Sequence, residues 1–419
     1  MYQIKLPYGK DYLTGQLPFP FQAVAISEEV IQHSSSAEIK RALQNPIGAS
    51  LSDLKGAKNV VIVTSDLTRP VPNKLILPSL LQELETVGIS KQQITILIGT
   101  GLHRVSPETE FAELVGEDLA QEVKIISHNA WDEENLIYLG ESTRNTPIVI
   151  NRHYYEADAK IVLGVIDPHQ FAGLSGGAKG VVIGLGGEKL VQANHAMLTH
   201  PKATLGNLAE NPVREDIDEI GEKIGIDFIV NVVLNNKKEV VTAVAGHFRE
   251  AHKVGVTAAR KTLQVEIKEP ADLVIAASGG FPKDVNLYQA QKALLHAAIA
   301  VKEGGTIILA AECREGVGEE RFTDAMKLGK TPQEIIDNFS KQKFRVGAHK
   351  AFLWGASLKK ARVILVADGI DLSTAQIMQV EKAETLQAAL DMCVDNLNDN
   401  SKIYTMPKAP STIPLLKNQ

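Results

Sequence analysis

Two of the commonest ways of building a small-molecule or metal site are nearly ruled out by what the chain contains little of. Among 419 residues there are only two cysteines, Cys313 and Cys393, far apart and without metal-type spacing. That excludes a disulfide framework and a thiolate metal centre. Aromatic residues make up 5% of the chain. No apolar run is long enough to cross a bilayer, and Met1-Tyr2-Gln3-Ile4-Lys5-Leu6-Pro7 lacks the continuous apolar region of a signal peptide, so a cytoplasmic protein is expected. No block of basic residues occurs, and the formal net charge is -6, which argues against nucleic acid or an anionic membrane as a partner.

What is present is 44% hydrophobic residues arranged as alternating short apolar runs and helical patterns, the signature of an α/β protein. The length exceeds that of one ordinary core, so two domains are expected. A fresh α/β pattern begins after Lys268-Glu269-Pro270. The reading is therefore an N-terminal α/β domain over 1–267, a C-terminal α/β domain over 268–400, and a tail, 401–419, that packs back on the N-terminal domain.

The stretch Asp167-Pro168-His169-Gln170-Phe171-Ala172-Gly173-Leu174-Ser175-Gly176-Gly177-Ala178-Lys179 follows the apolar run Lys160–Ile166. The run reads as a buried strand ended by a proline turn. His169 thus lies just past a strand's carboxyl end, where open α/β sheets bind ligands. Gly176 and Gly177 permit backbone conformations closed to other residues, and Lys179 offers a cation or, with a depressed pKa, a nucleophile. The stretch is not a triphosphate cradle, because Ala178 precedes Lys179 and Gly180 follows it. Val181-Val182-Ile183 before Gly184-Leu185-Gly186-Gly187 reads as a short strand candidate, which leaves a dinucleotide-binding reading open. His195 then falls on the next helix, with no second histidine at three- or four-residue spacing.

Other predicted strands repeat the arrangement. Lys58–Thr64 delivers Asp66, Thr68 and Arg69 on a loop stiffened by Pro70 and Pro72, with Asp66 placed to pair with Arg69. Gln93–Ile98 ends in Gly99-Thr100-Gly101-Leu102-His103. A third, Val123–Ser127, leads to His128, which reads as structural. In the second domain, Ala271–Ala276 precedes Ser278-Gly279-Gly280 and a helix on which Tyr288 and Lys292 share a face beside Gln289.

These motifs, in one order, resemble the nickel-dependent lactate racemase family over nearly the whole chain. The resemblance implies two α/β domains with the active site in the cleft between them, and racemisation or epimerisation of a 2-hydroxy acid. It implies a nickel-pincer nucleotide joined covalently to Lys179, with His195 on the nickel and Thr68, Gly176 and Gly177 meeting its nucleotide portion. His103 and His169 would be the two bases. Arg69 and Lys292 would hold the substrate, Tyr288 and Gln289 would line the site, and Asp66 would orient Arg69. Cofactor-biosynthesis proteins are implied as partners. Two rival readings accompany it: a nicotinamide-dependent oxidoreductase of 2-hydroxy acids without nickel, and a non-catalytic ligand-binding protein on the same scaffold.

Overall fold

A computed structural model describes residues 1–26, 33–342 and 344–417. The chain divides into two compact units, Glu28–Thr262 and the combination of Met1–Ser27 with Leu263–Gln419.

The Glu28–Thr262 unit is built on a six-stranded sheet. Its order is Val240–Gly246, Phe228–Leu234, Ala159–Val165, Val60–Ser65, Ile94–Gly99, Lys124–Ser127. Neighbours are parallel except for the hairpin pair 228–234 and 240–246. Parallel strands carry helices on both faces, and so read as continuous apolar runs. Val60, Val61, Ile62 and Val63 are accordingly all buried. The helix Asn73–Thr86 covers one face with Ile76, Leu77, Leu80 and Leu84, spaced to line one side of a 3.6-residue repeat. From Val60–Ser65 the chain moves outward to 94–99 and then returns to the opposite flank at 159–165. The crevice between 60–65 and 159–165 is therefore the topological switch point of the sheet.

The second unit carries a six-stranded, wholly parallel sheet ordered Glu381–Ala383, Arg362–Val366, Val301–Ala310, Ala271–Ala277, Ile403–Met406, Gln22–Ala23. Three assignments of the sequence reading change here. Residues 1–26, assigned to the first domain, fold with this unit: Gln22–Ala23 is an edge strand, and the hairpin Tyr2–Tyr8/Asp11–Leu17 buries Ile4, Leu6 and Leu17 in the same apolar cluster as Leu386 and Leu390. Its Gly9 turn is bonded to the 281–284 loop, donating to Asp284 Oδ2 at 2.6 Å and accepting from Phe281 N at 2.7 Å. The boundary lies at 262/263 rather than 267, because Gln264–Ile267 pairs in parallel with Ile413–Leu416. The tail packs on its own unit rather than on the N-terminal domain: Ile403–Met406 is fully buried between two strands of that sheet.

One local reading also changes. Val181 and Val182 lie in the short helix Lys179–Val182, not in a strand, so the glycines at 184–187 follow a helix and the dinucleotide fingerprint loses its structural context. Pro147–Asn151 pairs with Leu136–Glu141 in an antiparallel ribbon separate from the six-stranded sheet. No described helix is long and apolar enough to cross a membrane.

Ile62 sits at the centre of the central strand with no exposed surface. Ile62→Ala is expected to cost about 2–5 kcal/mol through lost burial and the cavity left behind. The check is a lowered urea midpoint for unfolding.

Candidate active site

Strands Val60–Ser65 and Ile94–Gly99 pair in register down to Ser65 opposite Gly99. The residues that follow are therefore neighbours: Asp66 Oδ2 lies 2.7 Å from His103 Nδ1. Asp66 is buried, and its Oδ1 accepts from the Thr68 amide at 3.0 Å and the Thr68 hydroxyl at 2.6 Å. Burial pushes its carboxyl upward, but the hydrogen bonds from His103 and Thr68 outweigh that and hold it below the ordinary value. An ionised Asp66 takes the proton on His103 Nδ1 and so assigns the lone pair to Nε2. Nearly half of the His103 side chain is open to solvent. This is the arrangement of a general base oriented by a carboxylate.

The expected Asp66–Arg69 pair is not what forms. The chain turns tightly, with Arg69 N donating to Asp66 O at 3.1 Å, and this directs the carboxylate toward the neighbouring strand end. The Arg69 guanidinium instead donates to the Thr68 carbonyl at 3.2 Å and lies near enough to Lys179 to act on its charge.

Beyond strand Ala159–Val165 the loop folds back on itself, pairing Pro168 with Leu174 and His169 with Gly173. His169 Nδ1 accepts from the Ala172 amide at 3.1 Å. Its ring stands edge-on to Phe171, with centroids 4.8 Å apart, and Phe171 stands edge-on to His195 at 5.0 Å. Phe171, almost wholly buried, thus spaces the two histidines. His195 occupies the last turn of the helix Glu188–Ala196 and shares a 3.1 Å hydrogen bond from Nδ1 to Asn194 Oδ1. Asn194 is itself fixed, donating to Val213 O and Asp216 Oδ2. Burial first, then the Lys179 cation, pushes His195 down to about 3, so the imidazole is neutral near pH 7 and, with its proton on Nδ1, presents a lone pair at Nε2.

Lys179 opens the helix Lys179–Val182. Burial, reinforced by Arg69 and Arg214, pushes its amine down to about 7. The two glycines before it pack closely against buried side chains. Gly176 and Gly177 both have positive φ, +83° and +59°. A Cβ on either would meet Asn231 or Arg214 within 2.8 Å. The Gly177 amide already donates to Asn231 Oδ1 at 2.7 Å. His128 is structural: it is fully buried, with Nε2 3.1 Å from Gly186 O and Nδ1 3.2 Å from Asn151 Nδ2.

In the second unit, Tyr288, Gln289 and Lys292 lie in the first turns of the helix Leu287–Ala300, capped by Asn286, whose side chain accepts from Gln289 N. Lys292 Nζ donates to Gln289 Oε1 at 2.9 Å. The Tyr288 ring is backed by Lys350 Nζ, 4.9 Å from its centroid, and Lys350 donates to Gln291 Oε1 at 2.8 Å. Among the described residues no cluster of three or more histidine, cysteine or acidic side chains could hold a metal ion. Any metal at His195 would need donors other than such a cluster. Residues that sequence reasoning did not single out are Phe171, Asn194, Arg214, Asn231 and His252. Only Phe171, inside the loop motif, and Asn194, beside His195, stood next to a signal.

Two family models match the chain: the lactate racemase N-terminal domain over residues 8–206 and the lactate racemase C-terminal domain over 266–413. A lactate racemase of Thermoanaerobacterium thermosaccharolyticum is 35% identical over 99% of both chains. One from Lactiplantibacillus plantarum is 34% identical over 97% of this chain and 98% of that one. The solved structure of the lactate racemase apoprotein from T. thermosaccharolyticum superposes with a TM-score of 0.92 at 34% identity, covering 99% of this chain and 100% of that one. A protein from Thermotoga maritima, 20% identical over 91% of this chain and 98% of that one, shares the fold at a TM-score of 0.68.

The Lys179 amine should behave as a weak base. Acylation of Lys179 by acetic anhydride, followed peptide by peptide, is expected to rise through about pH 7, whereas exposed lysines titrate near 10.4. A Lys179 profile coinciding with that of the exposed lysines would refute it.

Proposed function

The chain belongs to the lactate racemase family, and from that premise we propose that it is an isomerase, a racemase or epimerase of a lactate-like or larger 2-hydroxy acid. The finer proposal is that it works with a nickel-pincer nucleotide attached covalently to Lys179. The observation that carries this is Lys179 itself: an amine held near neutrality by burial and two arginines is nucleophilic at the pH where an ordinary lysine is protonated. His195 fits the metal end of the group, being a neutral imidazole whose Nδ1 is engaged by Asn194. The small donor set suits a cofactor that brings most of its own ligands. When bound, the nickel-pincer nucleotide supplies an acceptor for the hydrogen on the substrate's C2. Thr68 would meet its nucleotide portion, and Gly176 and Gly177 would shape the turn that carries Lys179.

The residues of the chain handle the proton and the carboxylate. The C2 hydrogen of a hydroxy acid is very weakly acidic, so removing it as a proton would build charge that needs heavy stabilisation. Taking the proton from the hydroxyl instead requires a base within hydrogen-bond reach. His103, oriented by Asp66, is one such base. His169, on the loop after the strand that flanks the other side of 60–65, is the second. Two bases flanking one central loop match a reaction that must serve both configurations at C2. Arg69 beside the first base would hold the carboxylate through its planar fork. Tyr288, Gln289 and Lys292 would supply a phenol, an amide and an ammonium for substrate oxygens. Partners follow from the cofactor: proteins that make and deliver it.

The deciding experiment is intact-mass and nickel analysis of protein co-expressed with the cofactor-making machinery, followed by a chiral screen of 2-hydroxy acids. A mass gain at Lys179 with nickel and interconversion of one acid is the expected result; an unmodified, metal-free chain under conditions that load a known family member would overturn it. Lys179→Ala should abolish the mass gain and activity, and His195→Ala should lower nickel content. His103→Ala and His169→Ala should each reduce the rate in both directions by roughly 100-fold or more, the usual worth of a positioned acid or base. Full rates in both variants would remove them from the mechanism.

A further inference from the structure

We propose that Arg214, His252 and Asn231 are positioning residues for Lys179, holding the Ser175–Gly177 turn from three sides so that the amine is presented in one place for attachment of the cofactor. The inference deepens the reading of Lys179 given above and rests on it.

Three backbone groups on two consecutive peptide units before Ala178 are each taken by a different side chain. His252 Nε2 donates to Ser175 O at 2.9 Å, Arg214 Nη1 donates to Gly176 O at 3.1 Å, and Asn231 Oδ1 accepts from Gly177 N at 2.7 Å. The three come from separate elements: the helix Pro212–Ile224, the strand Phe228–Leu234 and the helix Glu250–Leu263. Each is at least nine-tenths buried, at 3%, 0% and 5% exposed for Arg214, Asn231 and His252. They also brace one another. Arg214 is paired with Asp218 at 2.8 Å, and its Nη2 lies 3.4 Å from His252 Nδ1. Burial and Arg214 together push His252 down to about 3, so it is the neutral tautomer, accepting at Nδ1 and donating at Nε2.

The glycines make this contact possible. A Cβ at Gly176 would lie 2.8 Å from Asn231 Oδ1, and one at Gly177 2.6 Å from Arg214 Nη2. Burying a guanidinium is costly unless every donor is matched. Here that buried charge grips a turn two residues before the lysine, whose own amine makes no hydrogen bond among the described residues. With no hydrogen bond to orient it, the amine depends on the packing around its stem and on the turn that fixes where that stem begins. A reactive group confined near its bonding position gains rate through orientation.

The test reads Lys179 acylation by acetic anhydride at pH 7 in cofactor-free protein, with Lys40 and Lys124 as internal references, alongside mass gain at Lys179 on co-expression with the cofactor-making machinery. Arg214→Met should slow Lys179 roughly fivefold, because a rise of about one pKa unit takes the free-amine fraction at pH 7 from about a half to about a tenth; Asn231→Leu should slow it by loosening the turn, and both should leave the references unchanged. Arg214→Lys, which keeps the charge and loses the fork, should fall between. His252→Gln, which can still donate to Ser175 O, should stay near wild type, whereas His252→Phe should not. Should Arg214→Met not fold, Arg214→Lys and the His252 pair carry the test. Unchanged Lys179 rates and unchanged loading in folded variants would overturn the proposal. A wild type that never gains mass at Lys179 removes the attachment reading instead, and the acylation series still decides whether the cage governs the amine.

Discussion

The site in the Glu28–Thr262 unit depends on one constraint: three buried strands, 159–165, 60–65 and 94–99, run parallel and in register, so their carboxyl ends open onto the same edge. Buried parallel strands cannot slip by a residue without turning their apolar side chains the wrong way. The pairing of Ser65 with Gly99 is therefore as fixed as the core, and with it the 2.7 Å contact between Asp66 and His103. His169 comes from the strand on the other side of 60–65. The chemistry sits on loops, but the loops start from a rigid line.

Low polarity then sets the protonation states. Lys179, His195, His252 and His128 are all pushed toward their neutral forms, burial being the first cause in each. The effect differs in use. At His128 and His252 it fixes a tautomer that bonds backbone carbonyls. At Lys179 and His195 it leaves a lone pair on nitrogen near pH 7, which is what a nucleophile and a metal ligand require. Asp66 is the counterexample: buried as well, it stays ionised because His103 and Thr68 donate to it.

Much of the fold was legible because each strand is a short apolar run and each helix an amphipathic repeat. The strands at 60–65, 94–99, 159–165, 271–277 and 403–406, the hairpin at 228–246 and the helices at 73–86, 188–196 and 287–300 follow from local pattern. Val181–Ile183 misled because three branched apolar residues suit a buried helical turn as well as a strand, and only packing decides. The placement of residues 1–26 was hidden for a different reason. Nothing local in Tyr2–Tyr8 or Gln22–Ala23 states which distant surface will bury it.

The sequence by itself determined the residue types at the strand ends, their order along the chain and the family they belong to, since these are carried by motifs of a few neighbouring residues. Tertiary structure alone decided the partners. Asp66 joins His103 rather than Arg69, Phe171 spaces His169 from His195, and Arg214, Asn231 and His252 close on the turn before Lys179 across 38 to 77 positions of sequence. The physical reason is that hydrogen bonds and ring contacts are set by distances in space, and strand order and register turn residues remote in sequence into neighbours.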